Sequence, residues 1–176
     1  MTNLSKEEFL KQLELAEQGN PNAQYKVGLY YYNMALGAEN YSELYDKARE
    51  WYYMSAKQGN IEAQHALGGC SLPGGDKERF YWVKKAADQG LPNACGSLGN
   101  FYLEGCGVEP NKRMAEHYFR KGAALGDDYC KETLLLDFDI PQMRITESNT
   151  NESDKSFAIA CIIMILATLF TILTRR

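Results

Sequence analysis

A five-residue phrase ending in glycine occurs four times in this chain, and a small residue follows each glycine by four places. The phrases are Leu15-Ala16-Glu17-Gln18-Gly19, Ser55-Ala56-Lys57-Gln58-Gly59, Ala86-Ala87-Asp88-Gln89-Gly90 and Gly122-Ala123-Ala124-Leu125-Gly126. The small residues are Ala23, Ala63, Ala94 and Cys130. Spacings of 40, 31 and 36 residues between the glycines are those of a helical repeat array. A unit of that length cannot enclose its own apolar face, so neighbours must stack to bury a continuous core. Such an array, when it lacks a catalytic set, offers a binding surface.

The third unit shows the frame. Ala94, Leu98 and Tyr102 recur every four residues and share one helix face. Gly90 falls where the preceding helix must stop, a position that takes a left-handed residue. Pro92 suits the first turn of the next helix. Gly105-Cys106-Gly107-Val108 then breaks that helix, and a second begins near Asn111 with Ala115, Tyr118 and Phe119. The first unit matches with Ala23, Val27-Gly28 and Tyr31, then Ala48, Trp51-Tyr52 and Ser55-Ala56. Its inter-helix loop, Leu36 to Ser42, is expected to carry about four extra residues. The second unit has Ala63, Leu67-Gly68, Trp82 and Ala86-Ala87. Its connection, Ser71 to Asp76, reads as about five residues short, with Ser71 in place of an aromatic. Ser5 to Glu17 reads as a lone second helix, with Ser5 and Glu8 as a capping box. Asp127 to Leu136 reads as a lone first helix. Residues 1–136 are thus expected to form one solenoid, with units at about 20–59, 60–90 and 91–126 and half-units at both ends.

This pattern resembles the Sel-one-like repeat (SLR) family, relatives of the tetratricopeptide repeat, over residues 15–136. The resemblance implies an all-α fold, an α-solenoid of stacked antiparallel helix pairs in a right-handed superhelix. It also implies an adaptor or scaffold role in protein complexes.

In tetratricopeptide-like stacks the first helix of each pair lines a concave groove. Its outward positions lie five and two residues before, and two and five after, the Leu or Val of the Leu-Gly step. Carried onto this sequence, unit one offers Asn22, Tyr25, Leu29 and Tyr32; unit two, Glu62, His65, Gly69 and Leu72; unit three, Asn93, Gly96, Asn100 and Leu103. Asparagines can hydrogen-bond the backbone of an extended peptide, and tyrosines are favoured at interfaces. Lys and Arg are absent from this set, so a carboxylate clamp of the chaperone-binding type is not expected. Tyrosine runs at Tyr30-Tyr31-Tyr32 and Tyr52-Tyr53 should place one residue of each cluster in the core. The others leave an exposed aromatic patch on unit one as the favoured contact surface.

Phe157 to Thr174 carries no charge in 18 residues and is followed by Arg175-Arg176. As a helix it spans about 27 Å, close to the roughly 30 Å of a hydrocarbon core. Ten of its residues are Ile, Leu or Phe, which favours insertion by roughly 3–6 kcal/mol. Residues 157–174 are therefore expected to form a transmembrane helix, joined to the solenoid by a flexible polar linker, 137–156. No apolar signal region opens the chain. The expectation is a tail-anchored, single-pass membrane protein with its N-terminal domain in the cytoplasm. Repeat phrases that look like those of bacterial SLR proteins favour the bacterial inner membrane, with the mitochondrial outer membrane as the alternative.

A net charge of −4 with scattered cations argues against nucleic acid. Cysteines 70, 95, 106, 130 and 161 form no C-x-x-C pair, and reduced thiols are expected. Neither His65 nor His117 belongs to H-E-x-x-H, and no P-loop or G-x-S-x-G elbow occurs. The glycine pairs at 68–69 and 74–75 follow no strand pattern, as a nucleotide fingerprint requires. No catalytic residue, metal site or cofactor is expected. The expected function is a non-enzymatic protein–protein adaptor holding a protein partner in its groove at a lipid bilayer, with toxin-neutralising (immunity) or regulatory action as the narrower form. The alternatives are a membrane-linked hydrolase of the β-lactam-binding SLR type and a self-assembling membrane anchor. The first needs paired cysteines in each repeat, and the cysteines here do not recur in one frame.

Overall fold

The computed structural model describes residues 6–138. Among these residues there are eight helices and no strand: α1 (Lys6–Glu17), α2 (Pro21–Ala35), α3 (Tyr41–Lys57), α4 (Ile61–Gly68), α5 (Gly75–Asp88), α6 (Pro92–Glu104), α7 (Lys112–Ala124) and α8 (Asp128–Leu136). The chain divides into two units, Met1–Leu134 and Leu135–Arg176. Of the second, only the end of α8 and a turn to residue 138 are described.

Each recurring phrase ends a helix, and the next helix starts at once. The four phrase glycines hold φ between +90° and +97°, a conformation that strains any residue with a side chain. Asn20, Asn60 and Asp127 then cap the following helices. Their side-chain oxygens accept from the backbone N–H of Ala23, Ala63 and Cys130 at 3.0, 2.8 and 2.7 Å. Leu91 holds the same place ahead of α6 and makes no side-chain cap.

From α1 to α7 each helix packs on the next in sequence, and the short connections make them antiparallel neighbours. The Leu-Gly step explains the close approach within each pair. A Cβ on Gly28 would stand 2.7 Å from the Tyr52 ring, and one on Gly99 would stand 2.7 Å from the Phe119 ring. A Cβ on Gly68 would overlap Val83. One large side chain of the second helix thus seats on one bare glycine of the first. Val27, Leu67 and Leu98, immediately before these glycines, are wholly buried.

The stack carries a polar relay that the phrase pattern concealed. Gln24 and Gln64 are buried, and their Nε2 groups donate to Ala16 O and Ala56 O of the preceding helix at 3.2 and 3.3 Å. Their Oε1 atoms accept from Gln58 and Gln89, the glutamines of the next phrase, at 2.7 and 2.6 Å.

Three expectations are corrected here. The extra length of unit one lies in its helices, of 15 and 17 residues, and its loop is only Leu36 to Asn40. Unit two is short because α4 has only 8 residues, against 13 in α6; its connection, Gly69 to Gly74, is nearly as long as that of unit three. Tyr52 is core as expected, but none of Tyr30, Tyr31 and Tyr32 is fully buried, since Tyr30 and Tyr31 pack instead on Phe9 of α1. No helix among the described residues is long and apolar enough to cross a membrane. The expected transmembrane helix 157–174, the linker beyond residue 138, Cys161 and the Ser5 cap all lie outside the described residues.

Candidate functional site: the concave cavity of units one and two

The first helices of units one to three, α2, α4 and α6, border a cavity of about 440 Å³. Its walls include five of the residues chosen from the sequence: Tyr25, Leu29, Tyr32, His65 and Gly69. The Tyr25 ring leans on Tyr52 at 5.8 Å between centroids, and Tyr32 leans on Tyr45 at 6.3 Å. Burial raises the Tyr25 hydroxyl pKa, and the Glu62 carboxylate adds to the effect. At the far wall His65 Nε2 lies 2.9 Å from Ser97 Oγ. Burial lowers the pKa of this imidazole, so it is neutral at pH 7.

The remaining expected residues lie outside this cavity. Asn22 is exposed and accepts from Asn60 Nδ2 at 2.9 Å. Glu62 and Asn93 are exposed near the N-termini of α4 and α6, and Leu103 is exposed near the end of α6. Asn100 accepts from the Tyr129 hydroxyl at 2.9 Å. Two positions of the frame leave the groove altogether. Leu72 is buried in the core with Trp82, because α4 ends before reaching it. Gly96 is buried under Tyr129, whose ring would lie 3.1 Å from a Cβ there.

The cavity also recruits residues that the first-helix frame did not point to. Tyr45 comes from α3 and donates its hydroxyl to Gly69 O at 3.0 Å. Burial, with Cys70 beside it, pushes this hydroxyl up to about 12. Ser97 and Phe101 come from α6, one residue before and three after the Leu98 position. Arg79 comes from α5, the second helix of unit two, and brings a cation to the groove where none was expected. Its Nε donates to Gly68 O at 2.7 Å and its Nη1 to Asp76 Oδ1 at 2.8 Å. The guanidinium carbon stands 5.3 Å from the centroid of the Phe101 ring. The signal for it was present, since Arg79 occupies the position that Ala48 and Ala115 hold in the other two units.

Stacked helix pairs with a side-chain-lined concave cavity define a helical-repeat binding protein. The Sel1 repeat model matches residues 21–60, 61–91 and 92–127, and the chain belongs to the Sel1 repeat family. Proteins of this family are in general protein-interaction scaffolds. The chain is similar to a solved protective antigen of uropathogenic Escherichia coli with an SLR fold, at 32% identity and TM-score 0.61, over 72% of this chain and 27% of that one. It is similar also to a solved Sel1 repeat protein from Oxalobacter formigenes, at 29% identity and TM-score 0.58, over 71% of this chain and 95% of that one. Among curated relatives, a chitin synthase regulator of Malassezia restricta is 28% identical over 128 residues, 69% of this chain and 9% of the regulator. The chain spans no more than 22% of the length of the curated relatives it matches.

Proposed function

We propose that this chain is a non-enzymatic adaptor that receives a segment of a protein partner in the concave cavity and is held at a bilayer by residues 157–174. One observation carries the first half. Tyr25, Leu29, Tyr32 and His65, positions chosen by repeat frame alone, wall a single cavity of about 440 Å³. Aromatic walls with a few fixed polar groups suit anchoring side chains of a partner. The general scaffold role of Sel1 repeat proteins supports this reading. So does the regulatory role named in the chitin synthase regulator. The second half is supported by 18 uncharged residues, ten of them Ile, Leu or Phe. In this reading the array lies on the cytoplasmic side of a bacterial inner membrane. Immunity action is carried by no residue of the groove, and the proposal is the scaffold alone.

Affinity capture with the full chain tests the groove. Wild type should retain a protein that the Tyr25→Ala, Tyr32→Ala double variant loses. Equal retention by both contradicts the groove reading. Membrane fractionation tests the anchor: the full chain should sediment with membranes, and a chain stopped after Ser156 should not. Persistent sedimentation of the shortened chain rules the anchor out.

A further inference from the structure

Units one and three place a buried alanine, Ala48 or Ala115, three residues before the aromatic of the second helix. Unit two places Arg79 there. The exchange coincides with the truncation of α4. Where α2 and α6 continue for 15 and 13 residues, α4 stops after 8. A longer α4 would continue past Gly68, the residue whose carbonyl Arg79 now holds. The truncation leaves room for a long side chain, and the Arg79 side chain is 30% exposed with its residue on the cavity wall.

This guanidinium is held in place before any ligand arrives. Gly68 O fixes Nε, Asp76 fixes Nη1, and the Phe101 ring lies beneath. Two acceptors do not exhaust a five-donor fork. Arg79 is also the one residue of the cavity wall with a formal charge, since His65 is neutral at pH 7. Glu62, the carboxylate nearest in sequence on the groove-lining helices, lies six residues before Gly68, about 9 Å along α4. Asp76, which pairs with Arg79, is 56% exposed, so a competing carboxylate can reach the pair.

We propose that Arg79 makes the cavity selective for an acidic side chain, Asp or Glu, in an extended partner segment that also carries an apolar or aromatic neighbour. The charge of the wall calls for an anion, and the rings of Tyr25, Tyr32 and Phe101 call for the apolar neighbour. Asn22 on α2 and Asn93 on α6, the first helices on either side of α4, are exposed and can hydrogen-bond the backbone of an extended segment. The inference rests on the groove reading above and names the chemistry of its occupant.

Selection of a displayed library of random twelve-residue peptides on the full chain in detergent micelles tests it. Asp or Glu should be enriched beside Phe, Tyr or Leu. A selected peptide should lose about tenfold or more in affinity for Arg79→Gln, and the same factor when its own acid is changed to the amide. Melting of Arg79→Gln reports whether the loss of the Gly68 contact unfolds the protein. Asp76→Asn keeps Arg79 and removes its internal competitor, so it should bind the peptide several-fold more tightly. A purely structural Arg79 gives no such gain. Acid-free peptides that still depend on Tyr25 and Tyr32 overturn the acidic-residue inference and leave the groove standing. Peptides indifferent to Tyr25 and Tyr32, or no selected peptides, overturn both. An unchanged or weaker affinity of Asp76→Asn also overturns the inference.

Discussion

Gln89 donates its side-chain Nε2 to Gln64 Oε1 at 2.6 Å, and this bond joins the second helix of unit two to the first helix of the same unit. Gln64 in turn donates to Ala56 O of α3, so three successive helices are tied through one amide. The same arrangement runs through Gln58, Gln24 and Ala16 O one unit earlier. In unit three both glutamines are gone together. Cys95 stands for the first and Leu125 for the second, and Lys121 Nζ reaches Ala87 O at 2.6 Å instead. The unit with the cleanest sequence pattern is therefore the one that departs from the relay.

Gln64→Ala should destabilise the protein by about 1–3 kcal/mol, since it opens a buried polar network. Gln89 is exposed and keeps water as an alternative partner, so Gln89→Ala should cost less. Urea unfolding of both variants measures the difference. Equal costs would show that the relay is not a stability element.

Gly107 and Gly37 both hold positive φ, +73° and +84°, but only Gly107 is crowded. A Cβ on Gly107 would overlap the Asp76 carbonyl and lie 2.8 Å from Lys77 N, whereas one on Gly37 meets nothing within 4 Å. Gly37→Ala should then cost the conformational strain alone, about 1–2 kcal/mol. Gly107→Ala should cost clearly more, because the 105–108 turn must move off the start of α5. Thermal melts of the pair check this, and equal shifts would refute the backbone contact.

Stability should fall at both ends of the pH scale, for opposite reasons. The folded His65 has a pKa below 6.5, so as pH drops through that value the unfolded chain binds a proton that the folded chain refuses. Tyr45 is pushed up to about 12, and Tyr25, Tyr52 and Tyr118 are raised as well. The stability they contribute is intact below pH 10. It is lost as pH rises toward 12, because the unfolded hydroxyls ionise first. Denaturation curves from pH 5 to pH 11 should show a plateau between these limits. A His65 titration midpoint at or above 6.5 by NMR would contradict its desolvation.

The fold was legible because its signals are steric and local. The phrase glycines, Pro92 and the four-residue spacing of Ala94, Leu98 and Tyr102 each dictate a helix stop, a helix start or a buried face. The cavity was half legible because the groove positions of tetratricopeptide-like stacks, carried onto this sequence, include Tyr25, Leu29, Tyr32 and His65. What escaped depends on neighbours far along the chain. A glutamine after alanine reads as a solvated residue until its phrase partner, Gln58 or Gln89, is seen beside it. Counting residues between anchors cannot distinguish a short loop from a short helix, so the truncation of α4 was misplaced. With it went Arg79, a second-helix residue that reaches the groove beside that truncation.

The central claim is that the concave face receives a protein. Site-specific photo-crosslinking in cells measures it directly, with the crosslinker placed at exposed Glu62 or Asn93 on the groove-lining helices, or at exposed Arg113 or His117 on α7. A discrete crosslinked protein from Glu62 or Asn93, absent from Arg113 and His117, is the predicted result. Crosslinking confined to the α7 positions, or none from the groove, contradicts the account.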